Sequence, residues 1–160
     1  MARAGAARRG WVPGGLLGWQ DPGVTRTPIE PGLFRLGDDG SLTLIGGFSP
    51  TSGQYHFPLL DTCPYSGAAD VEERALSGSG SLFGWTTVTL APPGYLGTVP
   101  YGFGIVELEE GLRVIGRVTE TDIEALSHGQ PMRTVADVLY TDDAGNDVVT
   151  WAFAPAGGSA

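Results

Sequence analysis

Short apolar runs, separated by glycine and proline, recur along the chain from about residue 27. Leu42–Ile45 and Tyr55–Phe57 are two such runs in the first half. Runs of this length bounded by turn-forming residues are typical of strands, because an amphipathic helix needs a longer stretch with apolar positions three or four residues apart. The first half of the chain is therefore predicted to contain short strands joined by loops.

Three longer strands are predicted in the middle of the chain. Val71–Leu90 is rich in Thr, Val, Phe and Trp and is predicted to be one long, bent strand, although Ser77–Gly80 interrupts its pattern. Tyr101–Leu108 and Leu112–Val118 follow, separated by a Glu-Glu-Gly turn. This short separation predicts a hairpin.

A short helix and a second hairpin complete the pattern. Thr119–Leu126 is predicted to form one or two helical turns, with Thr119 or Thr121 as the N-cap. Met132–Thr141 and Val148–Ala154 are predicted to pair around the turn between them. A strand, a hairpin, a small helix and another hairpin is the element order of an OB fold, which has five barrel strands.

Composition supports an all-β protein. The chain has 160 residues, 26 of them Gly and 12 Pro, which fits one domain with a small appendage and many tight turns. The fold class is predicted to be all-β, a five-stranded OB-fold barrel preceded by a small, degenerate zinc-ribbon-like subdomain. Its predicted parts are a disordered extension (1–27), an N-terminal segment with the degenerate ribbon (28–70), the barrel (71–155) and a tail (156–160).

The charge of the chain is strongly acidic and unevenly placed. The formal net charge is −9; residues 1–26 carry four arginines against Asp21, a net +3, which leaves −12 for the rest. An acidic body repels phosphate backbones and anionic lipid heads, so neither nucleic acid nor a membrane surface is predicted as a partner. All nine basic residues are arginines, which excludes a lysine Schiff base.

Cys63 is the only cysteine, so no disulfide can form within the chain. The apolar stretch near Trp11 is broken by proline and glycine and is too short for a signal sequence or a membrane span. A cytoplasmic protein is therefore expected. Neither His56 nor His128 stands in a thiol-enzyme signature with Cys63, so no catalytic residue is predicted.

Two turns have the spacing of zinc knuckles. Ser49 and Ser52 form one pair and Cys63 and Ser66 the other, and a glycine follows each pair. A zinc ribbon needs four N or S ligands, and three of these four are neutral hydroxyls. The positions are predicted to be a ligand remnant in which the hydroxyls bond the turns, and zinc binding is not expected even with help from His56 or Asp61.

Taken together, residues 28–155 resemble the OB-fold proteins with an N-terminal rubredoxin-like zinc ribbon that accompany thiolase-like enzymes. The likeness spans about four-fifths of the chain, and it departs from the family at three of the four zinc positions. It is carried by Gly32–Phe34, Leu44–Gly47, Ser49/Ser52, Phe57-Pro58, Cys63–Gly67, Leu76–Leu82, Ala91–Tyr95, Pro100–Leu108 and Gly111–Val114.

The resemblance implies a function without catalysis by this chain. It implies an accessory subunit of a thiolase-like acyl-CoA enzyme that makes or cleaves a carbon–carbon bond next to a CoA thioester. Such a subunit contributes to assembly and to the acyl-CoA channel, so a thiolase-like partner and acyl-CoA are the implied contacts. No tightly bound cofactor is expected, although a CoA thioester could be held through the complex.

The loop 91–100 and the strand after it are the predicted contact site. Prolines stiffen this loop, glycines allow close approach, and aromatic side chains offer apolar area with little rotamer entropy to lose. The alternative is that these aromatics plug the open end of the barrel. The predicted partner- and substrate-binding residues are Pro93, Tyr95, Pro100, Tyr101, Gly102 and Phe103.

A second function remains open, that of a free-standing OB module for single-stranded nucleic acid or a small ligand. The barrel aromatics fit it, but the basic groove that such a module needs is missing from the sequence. Salt-sensitive oligonucleotide binding would favour this alternative, and co-purification with a thiolase-like protein would favour the accessory subunit.

Overall fold

A computed structural model describes residues 24–157, and almost all of the regular structure in that range is strand. The first five strands lie before residue 76. They are β1 (Arg26–Pro28), β2 (Phe34–Leu36), β3 (Leu42–Ser49), β4 (Gln54–His56) and β5 (Glu72–Ala75). β3 is the centre of a front sheet, because β2, β4 and β5 all pair with it. β1 belongs elsewhere and runs parallel to the last strand.

Five longer strands close a barrel behind this front sheet. They are β6 (Ser79–Val88), β7 (Tyr101–Leu108), β8 (Arg113–Val118), β9 (Pro131–Thr141) and β10 (Asp147–Pro155). β6 pairs with both β7 and β9, β7 with β8, and β9 with β10, all antiparallel. A parallel pairing of β8 with β10 completes the ring. This closed five-strand order is that of an OB fold, so the predicted fold class is confirmed.

Alternation along the strands separates the barrel interior from its outer face. In β7 the even-numbered residues from Gly102 to Leu108 are buried, whereas the odd-numbered ones are exposed or half-buried. Gly104 lies where neighbouring strands approach closely, since a Cβ atom there would be 2.9 Å from both the Gly84 carbonyl oxygen and Val118 Cγ2. Tyr101 and Phe103 therefore point outward rather than into the barrel.

One apolar core joins the front sheet to the barrel. Trp151 of β10 lies at the junction, with its ring centroid 6.3 Å from that of Phe34 and 5.5 Å from that of Phe57. Its indole N–H donates to the Ile115 carbonyl at 3.0 Å. The buried members of the core are Phe34, Leu42, Leu44, Leu76, Leu82, Val106, Leu108, Leu112, Val114, Val118, Leu126, Met132 and Phe153.

The prediction of one long strand over residues 71–90 is wrong. β5 pairs with β3 in the front sheet, and β6 belongs to the barrel. Between them Gly78 has a φ of +68°, a left-handed conformation that glycine adopts without steric cost and that turns the chain. The Gly78 carbonyl then accepts from the Thr134 amide at 2.7 Å, which fixes the new direction.

The predicted helix shrinks to a single 3₁₀ turn at Ile123–Ala125, and its N-cap is neither of the predicted threonines. Asp122 takes that place, accepting from the Glu124 amide at 3.0 Å. Trp85 of β6 holds the turn to the barrel by donating to the Ile123 carbonyl at 3.0 Å. A helix is too short here to bury an apolar face, so these local bonds define the turn.

β4 and the strands β7 to β10 agree with the sequence pattern to within one residue, and β3 extends four residues beyond the predicted Leu42–Ile45. β1 and β2 were not predicted as strands. Most of the predicted extension 1–27 lies outside the described residues; its described part includes Arg26 and Thr27, which open β1. Within residues 24–157 there is no helix of the length and apolar character needed to cross a membrane.

Candidate functional site

A cluster of four side chains ties the loop between β6 and β7 to the outer face of the barrel. Arg117 of β8 donates from Nε to Asp137 of β9 at 2.6 Å and also contacts the Tyr95 hydroxyl. The Tyr101 ring lies under the guanidinium, with Cζ 4.8 Å from the ring centroid. Tyr95 and Tyr101 stack with centroids 5.0 Å apart. The middle of the loop is therefore held to the barrel by contacts within the chain.

The Tyr95 hydroxyl stays protonated in this cluster. Partial burial raises the pKa of the Tyr95 phenol, and the neighbouring Arg117 guanidinium offsets this only in part. Arg117 has most of its side chain covered and is neutralised by Asp137. The arrangement positions side chains and offers neither a base nor an unpaired cation.

The surface beside this cluster is apolar and exposed. Leu90 and Leu96 of the loop are 83% and 65% exposed. Phe103 and Ile115 project from the outer faces of β7 and β8 and are also exposed. We call the set of Leu90, Leu96, Val99, Phe103 and Ile115 the docking face. Exposed apolar side chains that cluster on one face are typical of interaction sites in soluble proteins.

Strand register and the Arg117 cluster bring Leu96, Phe103 and Ile115 of the docking face into one region. Phe103 is opposite Arg117 in the β7–β8 pairing, and Ile115 is opposite Ile105, two residues along from Phe103. Leu96 directly follows Tyr95, whose hydroxyl contacts Arg117. The outer face of strands two and three of an OB barrel, together with the loop between strands one and two, is the part that OB folds use for binding.

The six predicted contact residues fall into three groups. Pro93, Pro100 and Phe103 are exposed. Tyr95 and Tyr101 are half-buried against Arg117, and Gly102 is buried at the barrel interior. The proximity of the loop and strand was thus anticipated. Leu96 and Val99 lie in the predicted loop but were not named as contact residues, and Leu90 and Ile115 were missed. The sequence could have indicated them, because they are large apolar residues in a loop or at outward-facing strand positions.

The four remnant zinc positions also come together. Ser52 Oγ lies 3.3 Å from Cys63 Sγ, which joins the two knuckles. Ser49 donates to Asp70 at 2.7 Å, and the Ser66 hydroxyl accepts from the Ala68 amide at 3.3 Å. Within residues 24–157 there is no group of three or more His, Cys, Asp or Glu side chains arranged to hold a metal ion.

The Cys63 thiol is acidified but inaccessible. Burial raises its pKa, yet hydrogen bonds from the Ser52 and Ser66 hydroxyls and from the Ser66 and Tyr65 amides outweigh burial and lower the pKa to about 6. The residue is only 1% exposed. Its partners are hydroxyls and amides, none of which is a base, so no thiol-enzyme pair is formed.

His56 is the other buried polar group of the front sheet. It is 3% exposed, and both of its ring nitrogens lack a hydrogen-bond partner in the described part of the chain. The ring packs over Gly47, where a Cβ atom would be 2.5 Å from Nε2. This close packing, rather than a hydrogen bond, holds the imidazole in place.

Comparison with known proteins identifies the family. A DUF35 domain-containing scaffold protein from Pyrococcus furiosus is 32% identical over 113 residues, which are 70% of this chain and 82% of that protein. The chain belongs to the DUF35 family. In addition, residues 73–137 match the family model described as the ChsH2 C-terminal OB-fold domain. The resemblance to OB-fold companions of thiolase-like enzymes is therefore confirmed at the level of the family, whereas a zinc ribbon is not.

Two further matches have more specific names. Subunit BbsA of benzoylsuccinyl-CoA thiolase from Thauera aromatica is 29% identical over 93 residues, 58% of this chain and 63% of BbsA. Among solved structures, the Ltp2-ChsH2(DUF35) aldolase matches with a TM-score of 0.54 and 23% identity, covering 71% of this chain and 85% of the other. At that identity the structural match supports the fold alone.

Proposed function

We propose that this chain is a non-catalytic accessory subunit of a thiolase-like acyl-CoA enzyme, one that forms or cleaves a carbon–carbon bond beside a CoA thioester. The observation that carries the proposal is the exposed docking face on the binding side of an OB barrel. The name of BbsA, a thiolase subunit within the same family, supports the choice of partner. The docking face would lie against that partner.

The loop between β6 and β7 is proposed to line part of the acyl-CoA channel at the subunit boundary. Arg117 holds the Tyr95–Tyr101 stack against the barrel, so the loop is ordered before a partner arrives. Preorganisation lowers the entropic cost of association. The exposed Pro93 and Pro100 further restrict the backbone conformations of the loop. Its neutral, apolar side chains suit the pantetheine arm of CoA.

The positions of Cys63 and His128 favour an accessory role. Cys63 is covered by the chain, so a thioester cannot reach its sulfur. His128 lies away from it, with its ring against Phe83 at a centroid distance of 5.7 Å. The nucleophile and the base of the reaction are therefore assigned to the partner.

The test is a matched pair of leucine substitutions. Leu96→Asp places a charge in the docking face, whereas Leu60→Asp places the same charge at an exposed leucine of the loop between β4 and β5. A charge desolvated without a counterion weakens an interface strongly. We expect Leu96→Asp to weaken binding to the thiolase-like protein of the same genome by ~2 kcal/mol or more, about thirtyfold in Kd.

The measurement is the Kd of each variant by calorimetry, with circular dichroism and melting curves as checks of folding. Leu60→Asp is expected to bind like the unsubstituted chain. Equal affinities for the two variants, with both folded, would place the partner on another surface.

A further inference from the structure

The two knuckles have the same backbone shape. In the first, the Gly53 amide donates to the Ser49 carbonyl at 2.8 Å; in the second, the Gly67 amide donates to the Cys63 carbonyl at 2.8 Å. Both glycines have positive φ angles, +66° and +72°. The side chains at the first and fourth positions of each turn therefore face a common space, as two pairs of metal ligands do.

The side chains in that space do not fit a zinc ion. Ser49, Ser52 and Ser66 are neutral hydroxyls, and zinc prefers thiolate and imidazole ligands. Ser49 is fully buried, and its hydroxyl already donates a hydrogen bond to Asp70. Cys63 alone supplies a thiolate-type ligand.

A carboxylate crosses the gap that a metal ion would bridge. Asp70 follows the second knuckle and accepts from two groups of the first, the Ser49 hydroxyl at 2.7 Å and the Thr51 amide at 2.8 Å. The contact between Ser52 and Cys63 makes a second link between the turns. Hydrogen bonds to a charged acceptor are the stronger kind, and Ser49 and Cys63 are removed from competing water.

We infer that this network of Asp70, Ser49, Ser52 and Cys63 takes the structural place of the metal, so that the front sheet folds against the barrel without zinc. The backbone of the knuckles is held by a carboxylate and hydroxyls at the place where a zinc ribbon holds its ion. This inference concerns the chain by itself and is independent of the proposed partner.

The first arm of the test uses the unsubstituted chain and a variant that restores the ligands. The chain purified from zinc-supplemented medium is expected to contain much less than one equivalent of zinc by elemental analysis, and a chelator should leave its melting temperature unchanged. Ser49→Cys/Ser52→Cys/Ser66→Cys, handled under reducing conditions, should gain about one equivalent and become sensitive to the chelator.

The second arm removes the carboxylate. Asp70→Ala should lower the melting temperature by several degrees, while Asp61→Ala, an exposed carboxylate in the same segment, should leave it within about one degree. The inference is overturned if the unsubstituted chain retains about one zinc after chelation. It is equally overturned if the folded triple variant takes up no zinc, or if Asp70→Ala melts like Asp61→Ala.

Discussion

At the scale of single residues, Arg117 determines how the candidate surface is built. Its guanidinium is shared among the Asp137 carboxylate, the Tyr95 hydroxyl and the Tyr101 ring. These contacts engage the Tyr95 hydroxyl and the Tyr101 ring inside the chain. What remains for a partner is the apolar surface that they hold in place.

Tyr95→Phe tests this internal role of the tyrosine. The substitution keeps the stacked ring and removes the contact of the hydroxyl with Arg117, a loss of about 1 kcal/mol for a single hydrogen bond. Amide hydrogen exchange across residues 92–97 should therefore become about fivefold faster, and faster still in Tyr95→Ala. Tyr65→Phe, at an exposed tyrosine of the second knuckle, is the control. Unchanged exchange in both Tyr95 variants would mean that other contacts hold the loop.

Cys63 predicts a specific pH dependence of stability. Its folded pKa of about 6 lies below the ordinary value of 9.0, so the folded state favours the thiolate more than the unfolded state does. The stabilisation is complete above pH 9 and is lost as the pH falls toward 6. The free energy of unfolding measured in urea should decline over this window, and the decline should be smaller in Cys63→Ser. Parallel pH profiles for the two proteins would contradict the low folded pKa.

At the scale of elements, the glycines of β7 set how closely its neighbours approach. A methyl group at Gly104 would meet the Gly84 carbonyl and Val118 at 2.9 Å, whereas one at Gly84 would meet no heavy atom within 4 Å. Gly104→Ala should therefore destabilise the barrel by ~1–3 kcal/mol, and Gly84→Ala should change little. Chemical denaturation measures both values. Equal effects would show that the barrel adjusts to the added volume.

The barrel strands could be predicted because each one carries a local pattern. β7 and β8 alternate between buried and outward residues, and β9 and β10 flank a turn whose Asp142 accepts from the Asn146 amide at 2.8 Å. The division between β5 and β6 could not be predicted, since it depends on pairing β5 with the distant β3. The composition of residues 71–90 favours strand throughout, and it does not indicate which part of the segment pairs in the front sheet and which in the barrel.

The candidate site was predicted only in part, and for a similar reason. Stiff, aromatic loop composition marked residues 91–100, but the partner of Tyr95 is Arg117, which lies on another strand. Because that contact half-buries the tyrosines, the exposed apolar surface is formed by other residues, among them Leu96 and Ile115. The Asp70 link was missed because an aspartate carries no sequence signal that it takes the place of a metal ion.

At the scale of the whole molecule, charge and family favour a protein partner over nucleic acid. Residues 24–157 hold six arginines against 17 carboxylates, a net charge of −11. Arg113 and Arg117, the arginines of β8 on the outer face, are both paired with carboxylates. A groove that tracks phosphates needs unpaired positive charge, and this face lacks it among the described residues.

The turnover of the thiolase-like protein with and without this chain is the most direct test of the proposed function. We expect the two proteins to co-purify in a fixed ratio, the complex to turn over its CoA thioester, and the isolated chain to have no activity. Cys63→Ser should leave the turnover of the complex nearly unchanged, because the buried thiol takes no part in the reaction. If the chain elutes alone and the thiolase-like protein reaches full turnover without it, or if Cys63→Ser lowers turnover on the order of a thousandfold, the accessory role is contradicted.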